Sequence, residues 1–496
     1  MPEDAPVNTG AVAWPDPYSA ALTVRGMQAK LHQWAREDPS RRFGDLYNLV
    51  YHPAFLACAW ERVAGNRGGK TPGIDKVTAP AVEHGAGAGD YLGRIRDDLK
   101  SGEFQPVEVR QVLIPKANGK LRKLGIPTIA DRVVQASLKL VLEPVFEADF
   151  KPCSYGFRPN RRAQDAIAEI HFFASKPRRY EWVLEADIKA CFDEIDHAAL
   201  MGRFRARIKD KKVCALVKAF LRAGVMTELG ERQASWAGTP QGGILSPLLA
   251  NVALSALDDH FDGQWNTDMG TEGKRRWRRK TGRANWRLVR YADDFVVMVA
   301  GGREHAEALR EEAQAVLAPL GLRLAPEKTR VVHISEGFDF LGFNLRKRKQ
   351  RGSPRWYVYV TVSKKAVQAV KDKIRALTYR DARQGMELGE LLARLNRILA
   401  GWANYFRHAV AKRVFATVDH FAWHRVMRWL RRKYEGKHRL GMPEMRRRFC
   451  DRGWRFAWHG IVFTGAARVK VTRYPYRGYS IPTPWTPAPT ALPQGG

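Results

Sequence analysis

Two adjacent carboxylates, Asp293 and Asp294, stand in the middle of the apolar, β-branched segment RLVRYADDFVVMV (287–299). The residues on either side predict two buried strands joined by a tight turn. Burying an unpaired carboxylate is costly, and two neighbouring negative charges also repel each other. The segment therefore predicts either a solvent-exposed hairpin turn or a site that a positively charged group completes.

A second apolar strand also ends on a carboxylate, at Asp187 in LEADIKACFDEIDH (184–197). If this strand pairs with the strands around Asp293 and Asp294, the three side chains converge at one edge of a sheet. Three such charges are tenable with bound divalent cations, and Mg²⁺ takes oxygen ligands of this type. The chemistry that this arrangement suits is two-metal phosphoryl transfer.

The charge of the chain is strongly positive and unevenly placed. The formal net charge is +33 and the isoelectric point is near 10.2. Residues 341–480 hold 34 lysines and arginines against 8 acidic residues, whereas residues 1–340 hold 50 against 43. Such an excess repels itself unless a polyanion neutralises it, so the C-terminal region predicts a nucleic-acid-binding surface.

Targeting and redox features are sparse. No run of 18 apolar residues predicts a membrane span, and the acidic, Pro-rich start lacks the features of a signal peptide, so we expect a cytoplasmic protein with no membrane partner. The cysteines are scattered without a CxxC pair, which argues against a disulfide framework and against zinc. They are Cys58, Cys153, Cys191, Cys214 and Cys450.

Local patterns predict an α+β chain. Residues 105–127 read as two strands joined at Asn118-Gly119, followed by a helix that Thr128 caps and Pro144 ends. Further helices are expected near 161–174, 303–319 and 411–433. One apolar stripe predicts another helix, since its members recur at helical spacing. They are Leu388, Leu391, Leu392, Leu395, Leu399 and Trp402.

Other segments lack periodicity. Residues 1–40 read as a partly disordered N-terminal extension and 274–287, KRRWRRKTGRANWR, as an exposed basic insertion. Residues 436–480, rich in arginine and aromatic residues, are expected to form a basic extension that binds DNA or RNA. The Pro-rich residues 481–496 are expected to be disordered.

Eight blocks carry a family resemblance in one order along residues 41–435. They resemble those of group II intron-encoded reverse transcriptases/maturases, of the bacterial type that lacks an HNH endonuclease domain because paired CxxC motifs are missing. The blocks are TPGIDKVT (71–78), VLIPKANGKLRKLGIPTIADRVVQ (112–135), CSYGFRP (153–159), ADIKACFDEIDH (186–197), GTPQGGILSPLLANVAL (238–254), RYADDFVVM (290–298), LAPEKT (324–329) and FDFLGF (338–343).

The resemblance implies a right-hand polymerase: fingers and palm with an antiparallel sheet over 41–340, then an all-α thumb or maturase domain over 341–435. It implies that Asp187, Asp293 and Asp294, with the main-chain carbonyl of Ile188, hold two Mg²⁺ ions, Mn²⁺ being the alternative. Lys328 would protonate the departing pyrophosphate as a catalytic residue.

The same resemblance implies a nucleotide site. Arg110, Lys116 and Arg122 would grip the triphosphate of a dNTP. Phe192 would act as the steric gate that selects deoxynucleotides, and Gln241 would lie near the nucleotide ribose and the template.

The thumb would hold the RNA template and DNA primer and bind the group II intron RNA, assisting splicing and insertion of the intron into target DNA. Exposed basic residues of the thumb are the candidates for RNA contact. They are Arg394, Arg397, Arg407, Lys412, Arg413 and Arg425.

Two alternatives stay open at this point. One is a retron, defence-system or CRISPR-associated reverse transcriptase, with the same chemistry in another setting. The other is an RNA-binding splicing cofactor whose polymerase site is dead, against which the intact Asp187, Asp293, Asp294, Phe192 and Gln241 argue.

Overall fold

A computed structural model defines the fold of most of the chain. The residues that it describes are 13–115, 119, 121–226, 232–233, 237–238, 242–379, 385–434, 441–451 and 453–486. Within them, no helix combines the length and the apolar character needed to cross a membrane.

The helices of the described residues are distributed along the whole chain. They are α1 (Pro17–Glu37), α2 (Tyr47–Val50), α3 (Pro53–Ala64), α4 (Ala79–His84), α5 (Gly87–Ser101), α6 (Ile129–Asp149), α7 (Ala163–Ala174), α8 (Cys191–Glu194), α9 (His197–Arg205), α10 (Lys211–Arg222), α11 (Ser246–Thr267), α12 (Glu272–Lys280), α13 (Arg303–Leu317), α14 (Lys364–Leu377), α15 (Leu388–Phe406), α16 (Lys412–Lys433) and α17 (Met442–Phe449).

The strands form three larger sheets and one short hairpin. They are β1 (Val109–Pro115), β2 (Leu121–Ile126), β3 (Trp182–Asp187), β4 (Val225–Met226), β5 (Arg232–Gln233), β6 (Asn285–Tyr291), β7 (Asp294–Ala300), β8 (Arg330–His333), β9 (Phe338–Phe340), β10 (Phe343–Lys349), β11 (Trp356–Val362), β12 (Ala457–Trp458) and β13 (Ile461–Val462).

The central sheet has the order β6-β7-β3-β8, and each neighbouring pair is antiparallel. On β7, Phe295, Val297 and Val299 face a core formed with α11 and α13, whereas Val296 and Met298 face a second core with α7 and the C-terminal helices. Because both faces are covered, the strand reads as a continuous apolar run instead of an alternating one. The predicted pairing of the two carboxylate-bearing segments is confirmed.

The second sheet has the order β2-β1-β4-β5 and contains the predicted hairpin of β1 and β2. The predicted cap of α6 is confirmed, since Thr128 Oγ1 accepts a hydrogen bond from Asp131 N at 3.1 Å. The predicted end of this helix at Pro144 is wrong, because α6 continues to Asp149. Proline leaves the carbonyl four residues earlier without its helical partner, and Gln28 Nε2 donates to that Leu140 carbonyl at 2.7 Å.

The C-terminal region differs from the all-α expectation for 341–435. Its helices α14, α15 and α16 are preceded by a three-stranded sheet, β11-β10-β9, whose strands β10 and β11 lie within that range. The apolar stripe of α15 is confirmed, with Leu391, Leu392 and Leu395 fully buried. Alternating Val and Tyr residues in 356–362 favour a strand. The all-α prediction for 341–435 rested on the helical pattern that follows and did not take this preference into account.

Three segments expected to lack structure are ordered in their described parts. Helix α1 within 1–40 packs on α6, and the first part of the basic insertion 274–287 belongs to α12, while its last three residues begin β6. At the start of the 481–496 tail, Ile481 is buried and Trp485 Nε1 donates to Gln28 Oε1 at 3.2 Å. These segments gain their order from tertiary contacts, which local periodicity does not report.

Candidate active site

The three predicted carboxylates come together at one end of the central sheet. Asp187, the last residue of β3, pairs directly with Asp294, the first residue of β7, and Asp293 lies in the turn before it. Opposed residues on antiparallel strands hold their Cβ atoms about 5 Å apart. Two of the side chains are therefore neighbours because of strand register, and the third because of a tight turn.

The electrostatics of this cluster are those of crowded negative charge. Desolvation, a hydrogen bond with Asp187 and the charges of Asp293 and Asp187 together raise the pKa of Asp294 to about 7. Desolvation and the charge of Asp187 also raise the pKa of Asp293 above its usual range. Burial and the mutual repulsion of the carboxylates therefore both disfavour their ionised forms.

Lys328 supplies one positive charge. Its Nζ lies 2.5 Å from Asp187 Oδ2, and this hydrogen bond raises the pKa of the ammonium. The loop that carries Lys328 is tied to the same strand end, since Ala325 N donates to the Asp187 carbonyl at 2.8 Å. The predicted catalytic lysine is thus brought to the carboxylates.

These residues suit a divalent metal ion through the chemistry of their donor atoms and not through a preformed arrangement. Within the described part of the chain, no three His, Cys, Asp or Glu side chains are arranged as a preformed metal site. Asp187, Asp293 and Asp294 are neighbours that repel each other, with oxygen donors suited to a hard cation. Ile188 follows at the strand end, with a buried side chain and a β-bridge to Leu324.

The YADD turn at 291–294 packs against the backbone of another segment of the chain. Ala292 has a φ of 58°, in the left-handed region that an alanine rarely adopts. Gly156 of the CSYGFRP segment packs against it so closely that an added Cβ would lie 2.3 Å from Ala292 N and 2.9 Å from Tyr291 C. Neither backbone atom can move without displacing the carboxylates, which explains the glycine.

We expect Gly156→Ala to lower the rate of nucleotide addition by at least about tenfold, because the methyl group displaces the turn that carries Asp293. A displacement of about 1 Å is enough for an effect of that size or larger. The measurement is kcat for primer extension. Gly202→Ala is the matched control, since its Cβ on α9 meets nothing within 4 Å. A normal kcat for the Gly156 variant would show that the close contact does not position the turn.

A fully buried arginine joins the turn to the core, and the sequence analysis missed it. Arg290 Nη1 donates to the Ala292 carbonyl at 2.9 Å, and its Nε and Nη2 bind the two carboxylate oxygens of Asp258 at 2.7 and 2.5 Å. Asn251 bridges the same elements, accepting from Arg290 Nη1 at 3.1 Å and donating to the Gly156 carbonyl at 2.9 Å.

This arrangement, which we call the turn-support network, consists of Arg290, Asp258, Asn251 and Ser154. Ser154 Oγ accepts from Arg290 Nη2 at 2.8 Å. A charged residue within an apolar strand was the available signal, but it identifies no partner, because Asp258 and Asn251 lie on α11.

Phe192, the predicted steric gate, is half-buried on α8 and packs edge-on against exposed Phe157, with ring centroids 6.4 Å apart. Behind it, a Cβ at Gly238 would lie 2.5 Å from the Phe192 carbonyl, and Gly238 has a φ of 83°. The Phe192 ring therefore belongs to a short helix, α8, whose backbone packs closely against Gly238.

The predicted nucleotide-binding residues differ in where the structure places them. The charge of Arg122 offsets a small part of the rise in the pKa of Asp293 that desolvation causes, so the structure brings this arginine near the carboxylates. Arg110 instead uses its Nε and Nη2 to bind the Pro72 carbonyl, at 3.2 and 2.8 Å. Lys116 and Gln241 lie outside the described residues.

The predicted RNA-binding residues are likewise divided. Arg397, Lys412 and Arg413 are exposed. Arg394 forms an ion pair with Glu390 one turn earlier.

Arg425 caps the end of α14, since its Nε donates to Thr378 Oγ1 at 3.0 Å, and Arg407 is half-buried with its main-chain carbonyl bound by Thr472 N at 3.0 Å. The side-chain contact of Arg425 is structural, whereas the contact of Arg407 involves only its main chain.

The fold and the site together define a reverse transcriptase: a palm sheet with one carboxylate at the end of a central strand and two in the adjoining hairpin, beside a hairpin that bears basic residues. Residues 114–345 match the reverse transcriptase (RNA-dependent DNA polymerase) family, and residues 367–449 match the maturase-specific domain of group II introns.

Individual relatives agree with both matches. Protein YkfC of Escherichia coli K12 is 38% identical over 353 residues, which are 67% of this chain and 91% of that protein. The group II intron-encoded protein LtrA of Lactococcus lactis is 32% identical over 361 residues, 64% of this chain and 59% of LtrA. The match thus spans less than two thirds of LtrA.

The chain belongs to the family of group II intron-encoded reverse transcriptases with a maturase domain. Its activity is RNA-directed DNA polymerisation, and the maturase domain associates it with intron splicing.

Proposed function

We propose that this reverse transcriptase extends a DNA primer on an RNA template with Mg²⁺ and dNTPs, and that it binds the group II intron RNA that encodes it, assisting splicing and insertion into target DNA. The observation that carries the polymerase role is the register that opposes Asp187 and Asp294, with Asp293 in the turn. Its biological setting follows from the maturase domain.

In this proposal Asp187, Asp293 and Asp294, with the Ile188 carbonyl, hold two Mg²⁺ ions. When bound, the ions activate the primer 3′-hydroxyl and neutralise charge on the leaving pyrophosphate. The crowding of these buried carboxylates supports this role, because burial and mutual repulsion raise the pKa values of Asp293 and Asp294 and a bound cation would stabilise their ionised forms. The chain contributes a rigid mount, since two paired strands and the turn-support network fix the carboxylates.

The nucleotide is positioned by groups around this cluster. Arg122 and Lys116 bind the triphosphate, and Lys328 donates a proton from Nζ to the pyrophosphate as it leaves. Its hydrogen bond to Asp187 supports this role, because the bond keeps the ammonium protonated and close to the reacting phosphate.

The sugar and the template strand are recognised by other residues. Phe192 closes the space beneath the sugar against a 2′-hydroxyl, and Gln241 contacts the nucleotide ribose and the template. Arg110 shapes the loop around Pro72 in the free protein and can turn to the triphosphate only by giving up that carbonyl.

The test of this function is primer extension on an RNA template. We expect incorporation of dNTPs with Mg²⁺ and none after removal of divalent ions with EDTA, because the carboxylates alone supply no positive charge to the triphosphate. Restoring Mg²⁺ should restore the activity. Extension that is unaffected by EDTA would contradict the metal-dependent mechanism.

We propose that the exposed basic residues of α15 and α16 bind RNA phosphates. Replacing Arg397, Lys412 and Arg413 with Gln should make the fall of log affinity with log salt less steep by about 2 to 3, because each lost phosphate contact removes about 0.7–0.9 from the magnitude of the slope. Arg394→Gln is the control, since Glu390 already neutralises that arginine. An unchanged slope for the triple variant would place the RNA elsewhere.

The other settings make distinct predictions. A retron or CRISPR-associated enzyme would show no preference for group II intron RNA over an unrelated folded RNA of equal length. A polymerase-dead splicing cofactor would bind the intron RNA without extending primers. The maturase domain at 367–449 favours the intron setting.

A further inference from the structure

A cluster of cations lies at the end of the central sheet opposite the carboxylates. Its members, which we call the basic pocket, come from the α7–β3 loop, from α12 and from the segment after α12, and together with Ala300 and Gly301 they line an open cavity of about 550 Å³. The cationic residues are Lys176, Arg178, Arg179, Arg279 and Arg283. No acidic residue lines this cavity among the described residues.

The basic pocket is distant from the active site. Strand β7 runs from Asp294 at the carboxylate end to Ala300 at the pocket, which corresponds to about 20 Å at roughly 3.4 Å per residue. A nucleotide or primer end bound at the carboxylates does not reach it. The basic pocket therefore serves a purpose other than holding the reacting groups.

Two of the guanidinium groups have buried nitrogens without a partner. Arg178 Nε and Arg279 Nη1 are both inaccessible to solvent and make no hydrogen bond. Burying an unsatisfied donor costs about 1–3 kcal/mol, and more when the group is charged. Among the residues that the structure describes, Glu272 is the one carboxylate that forms an ion pair with these cations, 3.7 Å from Arg279 Nη2. The excess of cations over carboxylates around the cavity indicates an anionic ligand.

The loops that present these cations are fixed in place. Arg178 lies flat on Phe172, with its Cζ 3.6 Å from the ring centroid, and the backbone N–H groups of Arg178 and Arg179 both bind the Ser175 carbonyl. Helix α12 is anchored by Arg278, whose Nε and Nη2 bind Asn285 Oδ1 and the Ala284 carbonyl at 3.0 and 2.8 Å. A preorganised cluster loses little side-chain entropy when a ligand binds.

An exposed aromatic ring adjoins the cluster. Trp277 is 52% exposed, and the guanidinium of Arg283 lies 5.3 Å from its ring centroid. An aromatic face beside several arginines suits nucleic acid, because bases stack on the ring while the arginines bind phosphates. Inorganic polyphosphate would use only the cations.

We propose that the basic pocket is a second RNA-binding site, which holds the phosphate backbone of a folded RNA while the primer and template occupy the cleft. This inference deepens the proposed intron-binding function and rests on it. A folded RNA is large enough to contact the pocket and the active-site side together.

The test uses Lys176→Gln/Arg179→Gln/Arg283→Gln, whose three side chains are exposed, so that folding is preserved. The matched control removes three exposed cations of α10, as Lys211→Gln/Lys218→Gln/Arg222→Gln. The probes are a long folded group II intron RNA, a short RNA template annealed to a DNA primer, and inorganic tripolyphosphate. Circular dichroism and thermal unfolding check the fold of each variant.

For the pocket variant we expect affinity for the folded RNA to fall by about tenfold or more, with a salt slope lower by about 2 to 3. Primer extension on the short template should stay within about twofold of the unchanged protein.

Unchanged affinity for the folded RNA, or an equal loss in the α10 control, would overturn the proposal. Competition by tripolyphosphate without any loss of RNA affinity in the variant would also overturn it, since the pocket would then serve small anions.

The two proposals fail separately. If the unchanged protein extends primers but the pocket variant keeps its RNA affinity, only the second site is wrong. If the unchanged protein extends no primer while the pocket variant loses RNA affinity, the polymerase role is wrong and the second site stands.

Discussion

Asp293→Asn is expected to lower primer extension by about a thousandfold or more while leaving RNA affinity within about twofold. The substitution keeps the shape of the side chain but removes a negative charge from the cluster that would bind Mg²⁺. Loss of about 4 kcal/mol of transition-state stabilisation corresponds to a thousandfold in rate. The measurements are single-turnover primer extension on an RNA template and binding of the same template without dNTPs.

The folded state should not suffer from this change. Asp293 is destabilised by desolvation and by the charge of Asp187, so a neutral amide relieves repulsion, and the free energy of unfolding should stay equal or rise. Asp268→Asn is the control, an exposed position at the end of α11 where the same change has no metal to affect. Near-normal extension by the Asp293 variant would refute the metal role.

Arg290→Met is expected to destabilise the protein by about 3–5 kcal/mol and to abolish measurable extension. Both Arg290 and Asp258 are fully buried, so removing the arginine leaves an uncompensated carboxylate in the core. The double variant Arg290→Met/Asp258→Leu should recover most of this stability, since an apolar pair of similar size often replaces a buried ion pair without loss. Its kcat should nevertheless stay at least about tenfold low, because the Ala292 carbonyl has lost its donor.

A second buried ion pair, formed by Arg287 of the same strand, can distinguish an effect on protein stability from an effect on the position of the turn. Arg287 and Glu169 are almost equally buried, with Arg287 Nε 2.7 Å from Glu169 Oε1, but Arg287 makes no recorded hydrogen bond to the turn. Arg287→Met/Glu169→Leu should therefore resemble the Arg290 double variant in unfolding free energy and resemble the unchanged protein in kcat. Equal kcat values for the two double variants would show that the turn-support network acts on stability alone.

Sequence patterns were most informative where a structural feature depends on residues that are close together in the sequence. Two carboxylates within an apolar run are energetically anomalous, and this anomaly identified Asp293 and Asp294 before any pairing was known. The β1–β2 hairpin and the cap of α6 were predictable for the same reason, since turn and cap geometry depends on residues close in sequence. The roles of Lys328, Phe192 and Arg122 came only from a family resemblance.

Predictions failed where distant contacts override local preference. Pro144 does not end α6, because Gln28, more than 100 residues earlier, binds the Leu140 carbonyl that proline leaves unpaired. The basic insertion and the start of the C-terminal tail are ordered by the surfaces that they meet. Arg425, predicted to contact RNA, caps a helix in the free protein. None of these partners is identifiable from its own neighbourhood in the sequence.

Three carboxylates at the ends of apolar strands, a net charge concentrated beyond residue 340 and motifs in the order of a reverse transcriptase can all be read from the amino-acid sequence. These are properties of local composition and spacing, which do not depend on the fold. The folded chain is needed to show that Asp187 opposes Asp294, that Gly156 and Arg290 hold the turn, and that five cations from separate segments share one pocket. Strand register and packing between remote segments depend on the whole core, so they emerge only when the chain is folded.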